Sequence, residues 1–153
     1  MANYFIDSSA LVKRYTLEIG TSWVRNITAP RSGHTIMIAQ ITLVEMISAL
    51  ARQYHDGKAT LNMLQTFRRQ VEYHARTQYT LTGLNRQIIA GALSLHERYR
   101  LRAYDSVQLA TAVELHKRAV SIAQIVIFIA SDARLLQAAV GEGLNTDNPN
   151  DHA

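Results

Sequence analysis

The chain has 153 residues, no cysteine, and 16 Lys and Arg against 12 Asp and Glu, for a formal net charge of +4. This length suits one ordinary α/β domain over 1–153 with a core of its own, and the lack of cysteine excludes disulfides, thiolate metal sites and a cysteine nucleophile. Thirteen of the cationic residues are arginine, which grips phosphate with a bidentate fork, so a polyanionic partner is expected. The six histidines are scattered and form no HExxH pair, which argues against zinc. No apolar run approaches the roughly twenty residues of a membrane helix, and no charged-then-apolar leader pattern opens the chain, so a soluble cytoplasmic protein is expected.

The first element is a strand over 3–6, an apolar run that ends on Asp7. Helices over 8–15 and 20–28, a strand over 34–38 and a helix over 40–55 follow. In that helix Ile41, Val44, Ile47, Leu50 and Ala51 keep helical spacing, Glu45 interrupts the apolar stretch, and Gln53, Asp56 and Gly57 mark the end. Residues 56–100 are harder to read and suggest two helices, 59–75 and 85–99, flanking a strand at 77–82. A helix over 104–119 carries Asp105 near its start, with Val107, Ala110, Val113 and Ala119 on one stripe. The strand over 125–130 runs into Asp132, then come a helix over 132–141, stops at Gly141 and Gly143, and a short strand near 144–146. Strands alternating with helices predict a three-layer α/β fold, with a central, mostly parallel sheet of about four to five strands and helices on both faces.

Asp7 and Asp132 each stand where a buried strand exits, which is where open α/β sheets place their ligands. Taken singly, Asp7, Asp105 and Asp132 also read as helix N-caps, and Asp105-Ser106-Val107-Gln108 fits a capping box. Capping does not account for Glu45, which lies inside a helix. Adjacent parallel strands one and four would bring Asp7 and Asp132 to one edge, and the helices from about 40 and 104 begin at the same end. Four carboxylates at one point repel unless a cation joins them. Oxygen-only ligands suit the hard ions Mg²⁺ and Mn²⁺, which activate water and neutralise charge on a phosphate. Hydrolysis of a phosphodiester is the reaction that links such a centre to a basic exterior.

Ser8 and Ser9 follow Asp7 and are candidate partners of a metal-bound water, although serine is also common in a first helical turn. Arg98, Arg100 and Arg102 run directly into Asp105 and are candidates for an incoming nucleic-acid backbone, with a solvated face as the plain alternative. Lys13, Arg14, Arg68 and Arg69 fit solvated faces better. Tyr4, Tyr15, Trp23 and Tyr104 fit core or rim packing better than base stacking. No Walker A, GxGxxG or GxSxG motif occurs.

At these residues the chain resembles the PIN-domain ribonucleases, and within them the VapC-type toxins of toxin–antitoxin pairs. Tyr4-Phe5-Ile6-Asp7-Ser8-Ser9-Ala10-Leu11-Val12-Lys13 resembles the family's first strand and first metal acid, and Thr42-Leu43-Val44-Glu45 its helix glutamate. Leu101-Arg102-Ala103-Tyr104-Asp105-Ser106-Val107-Gln108-Leu109-Ala110 is similar to the third acidic segment, and Phe128-Ile129-Ala130-Ser131-Asp132 with Asn148-Pro149 to the closing one. The resemblance implies a PIN-like fold and a Mg²⁺- or Mn²⁺-dependent endoribonuclease. Asp7 and Asp105 would be its metal ligands, with Glu45 and Asp132 completing the catalytic set. It also implies a homodimer and a cognate antitoxin that blocks the acidic pocket. Two other readings stay open: a non-catalytic module that binds nucleic acid or protein through its basic surface, and a metal enzyme that acts on DNA or another phosphoester.

Overall fold

The structure is a computed structural model that describes residues 1–152. Five strands, β1 (Asn3–Ile6), β2 (Thr35–Ala39), β3 (Tyr79–Thr82), β4 (Val126–Ile129) and β5 (Asn145–Asp147), form one sheet in the order β3-β2-β1-β4-β5. Every pairing is parallel. β1 is central, with Tyr4 opposite Ile36 on one side and Ile127 on the other. Strands buried on both faces read as continuous apolar runs, and this is why β1 and β4 stand out in the sequence.

Seven helices cover the two faces: α1 (Ser8–Leu11), α2 (Thr21–Ile27), α3 (Ile41–His55), α4 (Leu61–Thr77), α5 (Arg86–Leu95), α6 (Ala103–Val120) and α7 (Ala133–Gly141). The strand alternation divides the core in two. Phe5, Met37, Phe128 and Ala130 meet Ile88 and Leu95 of α5, Leu109 of α6 and Leu135 of α7. Ile6, Ile38 and Ile129 meet Leu11 of α1, Met46 of α3, and Phe67 and Val71 of α4. The expected three layers are therefore present. Phe5 and Phe128 are fully buried and stacked with ring centroids 5.7 Å apart, each contributing about 2–3 kcal/mol through burial alone.

The helix expected over 8–15 becomes a 3-10 turn after Leu11, at Val12–Arg14. The helix expected to reach residue 99 ends at Leu95 and passes into turns. Val44, assigned to the apolar stripe of α3, is 63% exposed; the buried positions of that helix are Thr42 and Met46. At the far end of the chain, a 3-10 turn at Pro149–Asp151 lies against the start of α2. Gly20, the N-cap of α2, adopts φ +84°, and a Cβ built on it would collide with the Pro149 carbonyl oxygen. Trp23 of α2 stacks on His152 with centroids 4.2 Å apart, and His152 Nε2 lies 2.8 Å from Asp147 Oδ1.

Candidate active site at the carboxyl edge of the sheet

β1 ends at Ile6 and Asp7 follows as the N-cap of α1. Its backbone N–H still donates to Ile129 O of β4 at 3.0 Å, so the residue is held at the end of the ladder. Its carboxylate is 2% exposed and accepts from Ser9 Oγ at 2.8 Å and from Ala10 N at 3.2 Å. Ser9 Oγ in turn accepts from Ser131 N at 2.9 Å, which ties this carboxylate to the loop after β4. Burial pushes the Asp7 carboxyl up to about 7, against the hydrogen bonds from Ser9 and Ala10 that favour its ionised form.

Asp132 caps α7, accepting from Arg134 N at 2.8 Å and Leu135 N at 3.0 Å. The capping reading fails at Asp105, because α6 starts two residues earlier at Ala103, with Arg102 as an N-cap that contributes no side-chain bond. Asp105 sits in the first turn, where the Arg102 backbone N–H favours its ionised form. Partial burial and, secondarily, the nearby Asp132 charge raise its carboxyl above the ordinary range.

Glu45 is half-buried on α3, and its carboxyl is raised chiefly by burial and to a smaller degree by Asp105, while Gln108 and Ser8 pull the other way. Gln108 is 1% exposed and donates from Nε2 to Glu45 Oε2 at 2.6 Å and to Thr42 Oγ1 at 2.8 Å. This buried amide fixes the direction of the Glu45 carboxylate and joins α3 to α6.

Asp7, Glu45, Asp105 and Asp132, together with Ser8 and Arg102, face one cavity of about 340 Å³. Among the described residues, none of the four carboxylates is ion-paired to Lys, Arg or His. They do not close into a cage: no three acidic or imidazole groups among the described residues are spaced to hold an ion directly. A larger cavity of about 430 Å³ lies between α3 and α4, lined by Tyr15, Met46, Leu50, Met63 and Phe67 and containing no acid, so the chemistry belongs to the smaller one.

The arginines expected to act together are split. Arg102 reaches the carboxylate cavity and Arg100 lines an adjoining recess. Arg98 turns away and pairs with Glu142 at 2.8 Å, in a separate cavity. Two lining residues escaped the sequence reading, and two more were read for another role. Ser48 and Arg52 line the site from α3, and their spacing of three and seven residues after Glu45 was a usable helical signal. Tyr104, read as core or rim packing, is 52% exposed and stands at the cavity, and Gln108, read as the last position of a capping box, instead bonds Glu45.

A model of the PIN domain family matches residues 4–140. The chain belongs to the PIN domain family. Among curated proteins none matches it. Several solved structures share the fold. FitAcB from Neisseria gonorrhoeae is 12% identical with a TM-score of 0.68, covering 95% of this chain and 97% of that one. A toxin–antitoxin complex from Klebsiella pneumoniae is 18% identical with a TM-score of 0.62 over 95% and 97%. VapC20 of Mycobacterium tuberculosis, described as a sarcin–ricin loop cleaving toxin, is 14% identical with a TM-score of 0.62 over 88% and 94%. The five-stranded parallel sheet sandwiched by helices is thus a PIN fold, and no helix among the described residues is long and apolar enough to cross a membrane.

Proposed function

We propose that this PIN domain is a Mg²⁺- or Mn²⁺-dependent endoribonuclease, the toxin of a toxin–antitoxin pair, acting in the cytoplasm as a homodimer restrained by its antitoxin. The observation that carries the reading is the convergence of four carboxylates without cationic partners on one cavity beside exposed arginines. The likeness to the Klebsiella toxin–antitoxin complex and to VapC20, a sarcin–ricin loop cleaving toxin, supports the toxin and RNA parts. The non-catalytic alternative treats the acids as caps, and Glu45, inside α3, is not a cap.

The donor set fits a hard divalent ion. It is all oxygen, partly buried and uncompensated, and Mg²⁺ takes one or two carboxylates while keeping several waters. Asp7 and Asp105 would hold the ion directly, with Glu45 and Asp132 reaching it through water. When bound, the ion supplies water activation and neutralises charge on the phosphate. The protein's own groups orient the site: Ser9 and Ser131 fix Asp7, Gln108 fixes Glu45, and Arg102 stands where a phosphate enters. In-line attack at phosphorus leaves a 5′-phosphate and a 3′-hydroxyl. The test is cleavage of a broad RNA panel by antitoxin-free protein with Mn²⁺ against chelator; an intact panel under both conditions refutes the activity.

Metal is expected to raise the melting temperature of the wild type, because a ligand that binds only the folded state adds about 2.7 kcal/mol at a hundredfold excess over Kd. Glu45→Gln and Gln108→Leu should both shrink the shift, the first by removing the carboxylate and the second by freeing it to swing. Equal Mn²⁺-induced shifts in all three proteins would remove Glu45 from the metal site.

A further inference from the structure

Beside the carboxylate cavity lies a second recess of about 140 Å³, lined by Arg100, Arg102 and Arg134 and separated from the first by Asp105 and Asp132, which line both. The three guanidinium groups come from different places: the turn before α6, its N-cap, and the first turn of α7. All three residues are exposed, and none of their side chains is ion-paired or hydrogen-bonded among the described residues. Arg68, Arg98 and Arg118 show the contrast, since each is neutralised by a glutamate. Each guanidinium offers five N–H donors in a planar fork that suits a phosphate. The start of α6 adds to this, because its N-cap Arg102 makes no capping bond with its side chain and the first turn carries the positive end of an 18-residue helix.

We propose that this recess is a phosphate subsite for single-stranded RNA, holding the phosphate next to the one being cut. The inference rests on the proposed nuclease reading for its cleavage readout but not for its binding readout. Asp105 and Asp132 form the shared wall, so one backbone phosphate sits with the arginines while its neighbour sits at the carboxylates. A strand held at two consecutive phosphates is fixed in direction across the cavity. The minimum substrate is therefore longer than a dinucleotide, and Arg134 is a substrate-binding residue that no motif announces.

Two measurements on the full-length protein test this. The first is the salt dependence of binding of a uniform single-stranded oligoribonucleotide to Asp7→Asn protein in chelator, with and without Arg100→Gln/Arg134→Gln. Loss of one phosphate contact flattens the log–log slope by about 0.7. The second is cleavage of an oligonucleotide bearing a neutral methylphosphonate beside the scissile phosphate. Wild type should lose about tenfold or more in kcat/KM, whereas the double variant, already slow, should not distinguish the two substrates. These guanidinium groups hold no other residue, so the variant should melt like the wild type; single Arg134→Gln, read in the same way, replaces it if it does not. An unchanged salt slope, or additive losses from methylphosphonate and mutation, overturns the subsite. A flattened slope together with a wild type that cuts no RNA in Mn²⁺ overturns the nuclease reading and leaves the arginine recess standing as a phosphate site.

Discussion

Asp7→Asn is expected to abolish RNA cleavage while raising the melting temperature of the metal-free protein above pH 7. Burial dominates the environment of Asp7 and pushes its carboxyl from an ordinary 3.8 up to about 7, with a small addition from Glu45. Between these two values the unfolded chain has released this proton and the folded chain has kept it. Fewer protons bound in the unfolded state means that stability falls as pH rises through that window, and the whole penalty applies above it. A rise of roughly three units corresponds to about 4 kcal/mol before any relaxation of the site. Asparagine removes the charge but keeps the oxygen that accepts from Ser9 and Ala10, and it caps helices as well as aspartate does. Melting curves from pH 5 to 9 in chelator should therefore diverge, the wild type falling with pH and the mutant staying nearly flat. A mutant that melts well below the wild type at pH 8 would mean that the ionised Asp7 carboxylate stabilises the fold, and would overturn the penalty assigned to its burial.

Gly20→Ala should be among the most damaging single substitutions away from the site, with a loss on the order of 3–5 kcal/mol. The backbone conformation itself, φ +84°, costs a side-chain-bearing residue about 1–2 kcal/mol. The remainder comes from the collision with the Pro149 carbonyl, which is backbone and cannot swing aside as a side chain would. Urea unfolding measures the loss. Trp23, the single tryptophan, gives a second signal because it stacks on His152 beside Pro149–Asp151. A loss of only about 1–2 kcal/mol together with changed Trp23 fluorescence would show that this closing turn peels off and leaves the rest of the fold intact.

The architecture was legible because β1 and β4 are buried on both faces and so lose the alternation that makes edge strands ambiguous. The convergence of Asp7 with Asp132 followed from one assumption, that the first and fourth strands are neighbours. Asp105 was harder, since capping-box spacing fits wherever a helix is taken to begin, and only the backbone places that beginning at Ala103. The Arg98, Arg100 and Arg102 alternation misled in part. An i, i+2 pattern puts residues on one face only in a strand, and this stretch is a turn after Leu95. Gln108 was unreadable: its importance comes from Thr42 and Glu45, 66 and 63 residues away, and nothing local marks such a pairing.

The placement of β4 next to β1 has a consequence for a chain made from its N-terminus. Asp7 and Glu45 emerge from the ribosome early, but the strand that completes the site and the loop that steadies Asp7 through Ser131 come 122 residues after Ser9. Until β4 and the residues after it are made, the cavity lacks Asp132, Asp7 lacks the support of Ser131, and Arg134 is absent. On the proposed function, a chain that stops before β4 carries an incomplete centre and should leave RNA uncut.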